Sequence, residues 1–187
     1  MSSVTEFKSF TYQDYCKLDE SIQYELIYGE LIMIPAPSSE HQKALTRLGN
    51  ILFNHVNQNN LGEIFYAPYD VILSDNLVVQ PDILFISKGN ENLIKERGFF
   101  GVPDLVVEIV SPSSLKRDLE VKRRIYESFG VKEYWIIFPS EKALEILSIK
   151  ENIYEVLEFE SLKDENSKKK VISKLFENLE IDLSKIF

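Results

Sequence analysis

Cysteine is nearly absent from this 187-residue chain, in which Cys16 stands alone. One thiol excludes an intrachain disulfide and any zinc site built on paired cysteines. Histidine is almost as scarce, with only His41 and His55, so a bound metal would rest mainly on carboxylate oxygens. No apolar run approaches the roughly 18 residues of a membrane span. The opening Met1-Ser2-Ser3-Val4-Thr5-Glu6 also lacks the basic-then-apolar layout of a secretory leader, so a cytoplasmic protein without a membrane partner is expected. Basic charge is in deficit, and the net charge of −9 argues against nucleic-acid binding by bulk electrostatics. A local patch survives that argument, because residues 113–124 carry five basic side chains against two acids. Internal repeats and linker-like stretches are missing as well, and residues 1–187 read as one domain.

What is present alternates between helical and strand periodicity. Thr11 followed by Asp14 signals a helix start with Tyr12, Tyr15 and Leu18 on its apolar side. Two short strands, Glu25–Ile27 and Leu31–Ile34, are predicted around a turn at Tyr28-Gly29-Glu30. Ser38 is placed to cap a long helix to Asn59, along which Ala44, Leu48, Leu52 and Val56 keep a 3.6-residue beat. Strands follow at 64–67, 70–73 and 77–86, the last interrupted by Pro81, and then a polar loop with a short helical piece near 92–97. Next come a strand at 105–110, a helix ended by Gly130, and the apolar strand Tyr134–Phe138. The tail alternates weakly from Leu144 to Leu157. The order of elements implies an α+β protein with a central mixed sheet flanked by helices.

Two acids interrupt strands that are otherwise built for a core. Asp82 opens the run Asp82-Ile83-Leu84-Phe85-Ile86, and Glu108 lies inside Leu105-Val106-Val107-Glu108-Ile109-Val110. A carboxylate among Val, Ile and Leu must be compensated, since desolvating an unpaired charge costs several kcal/mol. A metal ion is the usual partner for two such acids.

The helix after Glu108 offers a third charged group. On a wheel of about 100° per residue with Leu119 at zero, the apolar arc centres near 290°, and Lys122 and Asp118 fall at about 300° and 260°, inside it. Lys116, Arg117, Arg123 and Arg124 fall on the opposite, solvated side of that wheel. An inward lysine would reach Glu108 and, if the strands are neighbours, Asp82. Two carboxylates and a lysine suit metal-assisted phosphodiester hydrolysis: the acids hold the cation and the ammonium orients water or offsets developing charge. An Asp118–Lys122 ion pair at the sheet's rim accounts for the same spacing, so the residues alone leave both readings open.

At these positions the chain resembles a known family. The segments Tyr24–Leu31, Pro37–Gln42, Val79–Phe85, Pro103–Ser113, and Asp118–Lys122 with Gly130–Trp135 are similar, in order, to the Uma-two family of expected endonucleases. That family is grouped with the restriction-endonuclease-like PD-(D/E)xK nucleases. The resemblance implies a restriction-endonuclease-like αβββαβ core, with Asp82 and Glu108 as ligands of Mg²⁺ or Mn²⁺. It also implies a nucleic-acid substrate, with DNA expected, and a homodimer in which Tyr134–Phe138 is either central or an interface. The superfamily's lysine would stand two residues after the second acid, where this chain has Val110. Lys122 matches the relocated lysine of Uma-two relatives.

Supporting roles are expected for four further residues. Asp118 would hold Lys122 in place. Glu40 could serve as a helix-borne acid or simply favour the helix dipole, and His41 could face the metal or pack as a hydrogen-bonded ring. Glu25 matches the family pattern, with a structural role at the hairpin equally open. His55 and Trp135 read as core. Rival readings are a non-catalytic protein that keeps the fold for binding or assembly, and hydrolysis of another phosphate ester.

Overall fold

The computed structural model of the chain describes residues 9–19 and 21–187, so the Met1–Glu6 stretch lies outside the described residues. In chain order the elements are α1 (Tyr12–Tyr15), β1 (Tyr24–Ile27), β2 (Glu30–Met33), α2 (Ser39–Gln58), β3 (Gly62–Tyr66), β4 (Val71–Ser74), β5 (Leu77–Val79), β6 (Ile83–Ser87), β7 (Ile94–Lys95), β8 (Gly98–Phe99), β9 (Leu105–Ile109), a π-helical turn (Arg117–Lys122) running into α3 (Arg123–Phe129), β10 (Glu133–Phe138), β11 (Ala143–Lys150), β12 (Ile153–Ser161), β13 (Lys170–Ile172) and β14 (Glu180–Asp182).

Local chemistry explains most of these boundaries. The Thr11 hydroxyl accepts from the Asp14 N–H at 3.3 Å while the Asp14 carboxylate accepts from the Thr11 N–H at 3.2 Å, a reciprocal cap on α1. Ser38 caps α2 by accepting from the His41 N–H. Tyr28 and Gly29 take φ of 50° and 85°, the left-handed pair that a tight two-residue hairpin between β1 and β2 demands. Gly130, at φ 80°, ends α3.

A six-stranded mixed sheet in the order β12-β11-β10-β9-β6-β3 forms the centre, and a second sheet in the order β2-β1-β5-β4-β8-β7 lies beside it. Parity along the strands sorts the core. Ile83 and Phe85 of β6, Leu105, Val107 and Ile109 of β9, and Trp135 and Ile137 of β10 meet the α2 stripe and the tail residues Phe176, Leu179 and Ile181. Leu84, Val106, Val110 and Ile136, on the other face, meet Ile125 and Tyr126 of α3 together with Ile27, Val79 and Phe99 of the second sheet. Glu108 shares the parity of Val106 and Val110 and therefore faces α3. The parallel pair β9 and β10 requires a crossover, and the crossover is the helical stretch that carries Lys122.

Two stretches differ from the sequence expectation. The helical piece predicted near 92–97 lies earlier, as a 3₁₀ turn at Lys88–Leu93, while β7 and β8 form a small hairpin. Gly98 there takes φ 145°, with its backbone against the Asp70 carbonyl where a Cβ would clash, a helix-incompatible geometry open to glycine. The weakly alternating tail is a long hairpin, β11 with β12, paired from Ala143–Ser161 to Lys150–Ile153 around a bulge. Strand β10 is flanked by β9 and β11, which resolves the choice for Tyr134–Phe138 in favour of a central strand.

One buried acid ties the tail to this sheet. Glu133 accepts from Lys174 N–H (2.7 Å) and Leu175 N–H (2.9 Å) on Oε1, and from Trp135 Nε1 and Ser173 Oγ (both 2.8 Å) on Oε2. Glu133→Gln turns an amide nitrogen toward two donors, and we expect a loss of about 2–3 kcal/mol by urea titration with an unchanged m value.

Candidate active site

The chemistry gathers at one end of the central sheet. Pairing of β6 with β9 sets Ile83 opposite Val107, which brings Asp82 to the Ile109 N–H; that amide donates to Asp82 Oδ2 at 2.7 Å. His41, from the first turn of α2, approaches the same carboxylate at 3.1 Å. Lys122 crosses from the helical layer, and its ammonium donates to Glu108 Oε1 at 2.8 Å and contacts Glu25 Oε1 at 2.7 Å. Glu25 sits on β1 with the parity of Ile27, so it points into the layer between the two sheets, and it also accepts from the Gln80 N–H at 3.0 Å. Tyr126, four residues after Lys122 on the same helical face, donates its hydroxyl to Glu108 Oε1 at 2.7 Å.

Lys122 closes a short backbone irregularity. Residues 117–122 form a π-helical turn in which the Asp118 carbonyl accepts from the Arg123 N–H, five residues on, and from the Tyr134 hydroxyl at 3.1 Å. π-Bulges often mark functional sites. Asp118 and Lys122 are buried, as the regular wheel places them, while the widened turn breaks the 100° stepping that put Arg117 on the solvated side. Arg117 Nε lies 3.7 Å from Glu25 Oε2.

A cleft of about 390 Å³ opens onto these groups, with Glu25, His41, Asp82, Glu108, Asp118 and Lys122 in its wall. Ser111, Ser113 and Ser114, from the loop after β9, form a hydroxyl-bearing lip. Two sequence expectations shift here. Glu40 is exposed and does not line the cleft, so the helix-borne acid is absent from this group and Glu25 supplies the additional carboxylate. Asp118 is the more distant acid around Lys122, at 3.9 Å, and its Oδ1 is buried without a hydrogen-bond partner; Glu25 and Glu108 hold the lysine. Tyr126 and Arg117 were not singled out by sequence. The i to i+4 spacing from Lys122 pointed to the tyrosine, whereas the π turn left no signal for the arginine. His55 packs edge-on against Phe176 and Trp135 is fully buried, both as core.

The electrostatics favour proton retention. Burial drives the Glu108 carboxyl well above the usual range, more strongly than Lys122 can lower it. Burial likewise raises Asp118 against the pull of Lys122. Burial would lower Lys122, yet Glu108, Glu25 and Asp118 together hold it above its ordinary value. The cluster is an acid-rich pocket around one firmly protonated amine.

Its donors suit a hard divalent cation. Among the described residues four carboxylates, Glu25, Asp82, Glu108 and Asp118, line the cleft beside Lys122 and Arg117, and Glu25 Oε2 and Asp118 Oδ1 are buried without a hydrogen-bond partner. Among the described residues no three His, Cys, Asp or Glu side chains form a complete metal cage. A hard cation such as Mg²⁺ takes one or two carboxylates together with water and substrate phosphate, and oxygen donors of that kind are what this cleft offers.

The central mixed sheet, with α2 on one face and the crossover helix on the other, has the restriction-endonuclease-like fold. The chain belongs to the Uma2 family, described as "Putative restriction endonuclease", whose match spans residues 11–184. A crystal structure of "a putative nuclease belonging to DUF820 from Anabaena variabilis" is similar at 19% identity, covering 95% of this chain and 97% of that one with a TM-score of 0.77. Among curated proteins none matches. No helix among the described residues is long and apolar enough to cross a membrane.

Proposed function

We propose that this protein is a metal-dependent nuclease that hydrolyses phosphodiester bonds, with DNA as the expected substrate and Mg²⁺ or Mn²⁺ held by Asp82 and Glu108. The observation that carries this reading is the Lys122 ammonium, 2.8 Å from Glu108 in the same cleft as Asp82. Val110 leaves the usual lysine position apolar, and Lys122 brings the charge to the second acid from the crossover helix. A bound cation would polarise the phosphate and lower the pKa of an attendant water. Lys122, held protonated, acts as a cation and not as a base: it orients the attacking water and offsets charge on the phosphate. Glu25 and Glu108 fix its position, and Tyr126 fixes Glu108. Arg117 and the serine lip are placed to meet the flanking phosphates.

The non-catalytic alternative is favoured by one observation, that Lys122 is already close to two carboxylates. A mixed DNA and RNA panel with Mg²⁺ or Mn²⁺ separates the two readings. Cleavage by wild type that is lost in Glu108→Gln supports the nuclease, and intact substrates throughout defeat it. Calorimetry adds a pH signature. Because burial raises the Glu108 carboxyl, the cation must displace a proton there, so affinity should fall as pH drops. The decline, up to about tenfold per pH unit for one proton, should begin above the ordinary Glu range near ~4.3. An affinity that stays flat from about pH 8 down to the ordinary Glu range would remove Glu108 from the ligand set.

A further inference from the structure

Beside the acid cleft lies a second recess of about 420 Å³, and Gln23, Pro68 and Gln80 line both. Its wall is aromatic, with Tyr12, Tyr15, Tyr24 and Tyr69. The rings of Tyr12 and Tyr15 lie 22° from parallel, and Tyr69 is stacked on Phe65 at 4.3 Å and 10°, which makes Tyr69 a braced flat surface. The Tyr69 hydroxyl is buried without a hydrogen-bond partner. In the same wall, Asp70 Oδ1 accepts from Tyr15 Oη and from Gln80 Nε2, both at 2.8 Å. A carboxylate offers about four acceptor positions, so those two donors leave capacity for a ligand N–H.

We propose that this recess is a nucleobase pocket, which receives an unstacked base bearing an exocyclic amine from a nucleotide next to the scissile phosphate. The proposal deepens, and rests on, the nuclease reading above. Charge decides which part of a nucleotide enters. Asp19, Asp70 and Glu96 against Arg97 make the recess acidic, which repels phosphate and leaves the flat ring as the fitting group. Tyrosine faces stack any base, at about 1–3 kcal/mol each. The Asp70 carboxylate then discriminates, accepting from the amine of adenine, cytosine or guanine, which thymine and uracil lack.

Position supports the same occupant. Gln80 and Asp82 are two residues apart, a span of at most about 7 Å, so the pocket lies about one nucleotide from the proposed metal acid. Gln80 also joins the two sites: its main-chain N–H holds Glu25, and its side-chain amide donates to Asp70 and Tyr15. A base seated against Asp70 would be sensed at the catalytic cluster through that one residue.

The test is fluorescence anisotropy of the full chain with labelled single-stranded DNA and RNA homo-oligomers, with Ca²⁺ replacing Mg²⁺, alongside cleavage kinetics with Mg²⁺. Wild type should bind dA and dC oligomers at least fivefold more tightly than dT. Asp70→Asn should erase that preference. Tyr69→Leu should weaken all oligomers by about tenfold. Thermal melts check folding, and if Tyr69→Leu melts early the near-isosteric Asp70→Asn decides. Base-independent binding, or no binding of any oligomer, overturns the pocket. Cleavage with unchanged KM in both variants overturns the pocket and leaves the nuclease standing. Base-dependent binding without cleavage keeps the pocket and overturns the nuclease.

Discussion

Lys122→Met is expected to cost about 3–5 kcal/mol of stability near pH 8, the range seen when one partner of a buried ion pair is removed. The Lys122 side chain is 3% exposed, and its ammonium lies 2.7 Å from Glu25, 2.8 Å from Glu108 and 3.9 Å from Asp118. Without it these acids become a buried like-charge cluster. The sign of the pH dependence follows from the direction of the shifts. In wild type the raised Lys122 pKa means that its contribution is complete below the unfolded lysine value, about 10.4, and is lost only in strong alkali. In the variant, Glu108 and Asp118 lose the one influence that most lowers them, so their already raised values climb further. A raised acid destabilises the fold above its unfolded pKa, and the deficit should therefore be largest at high pH and shrink toward about pH 5. Two further results are expected in chemical denaturation. Adding Glu25→Gln should recover part of the loss, as a non-additive double mutant. Millimolar Mn²⁺ should recover part as well, because a divalent cation at Glu108 takes over the missing charge. A deficit of equal size at pH 5 and pH 8 would show that the lysine stem, and not its charge, carries the effect.

That cluster shows where the sequence was informative and where it was silent. Parity along β9 is enough to turn Glu108 toward the crossover helix, and an apolar arc that includes Lys122 is enough to aim the lysine back, because both follow from fixed backbone periods. Asp82 beside Ile109 needed one thing more, the register of β6 on β9, which is a long-range pairing. Glu25 was ambiguous for a different reason. Strand β1 is buried on both faces, with Leu26 toward α1 and Ile27 toward the central sheet, so no alternation of polar and apolar residues marks its inward side. Arg117 was misplaced because a regular wheel has no place for an i to i+5 turn, whose carbonyl at Asp118 is satisfied by a hydroxyl from β10. Glu40 went the other way. Its position in the first turn of α2 suits the helix dipole alone, and the structure leaves it in solvent. Local rules thus carried the elements and two of the three central charges, while the second sheet that delivers Glu25 and the recess at Tyr69 arose from tertiary pairing.

Asp82→Asn is expected to separate function from stability in a way that no change at Lys122 can. The Asp82 side chain is 16% exposed, against 5% or less for Glu25, Glu108 and Lys122, so its replacement leaves no deeply buried charge unpaired. Its main structural bond, accepting from the Ile109 N–H at 2.7 Å, can be kept by the Asn carbonyl oxygen. His41 Nε2, 3.1 Å from the carboxylate, meets an amide in its place, and the unfolding free energy should fall by about 1 kcal/mol, the worth of one hydrogen bond. Cleavage depends on the lost charge. An amide oxygen is a poor ligand for Mg²⁺ beside a carboxylate, and removing one preorganised electrostatic group of this kind typically costs about 10² to 10³ in kcat. The heat of Mn²⁺ binding should weaken in parallel. If Asp82→Asn destroyed the fold as thoroughly as Lys122→Met, then Asp82 would be a strut between β6 and β9. If it left both folding and cleavage intact, catalysis would have to be sought at Glu25 and Glu108 alone. Loss of cleavage and metal binding together, on a nearly unchanged stability curve, would identify Asp82 as the more accessible arm of a metal site whose other members are buried to hold one lysine in place.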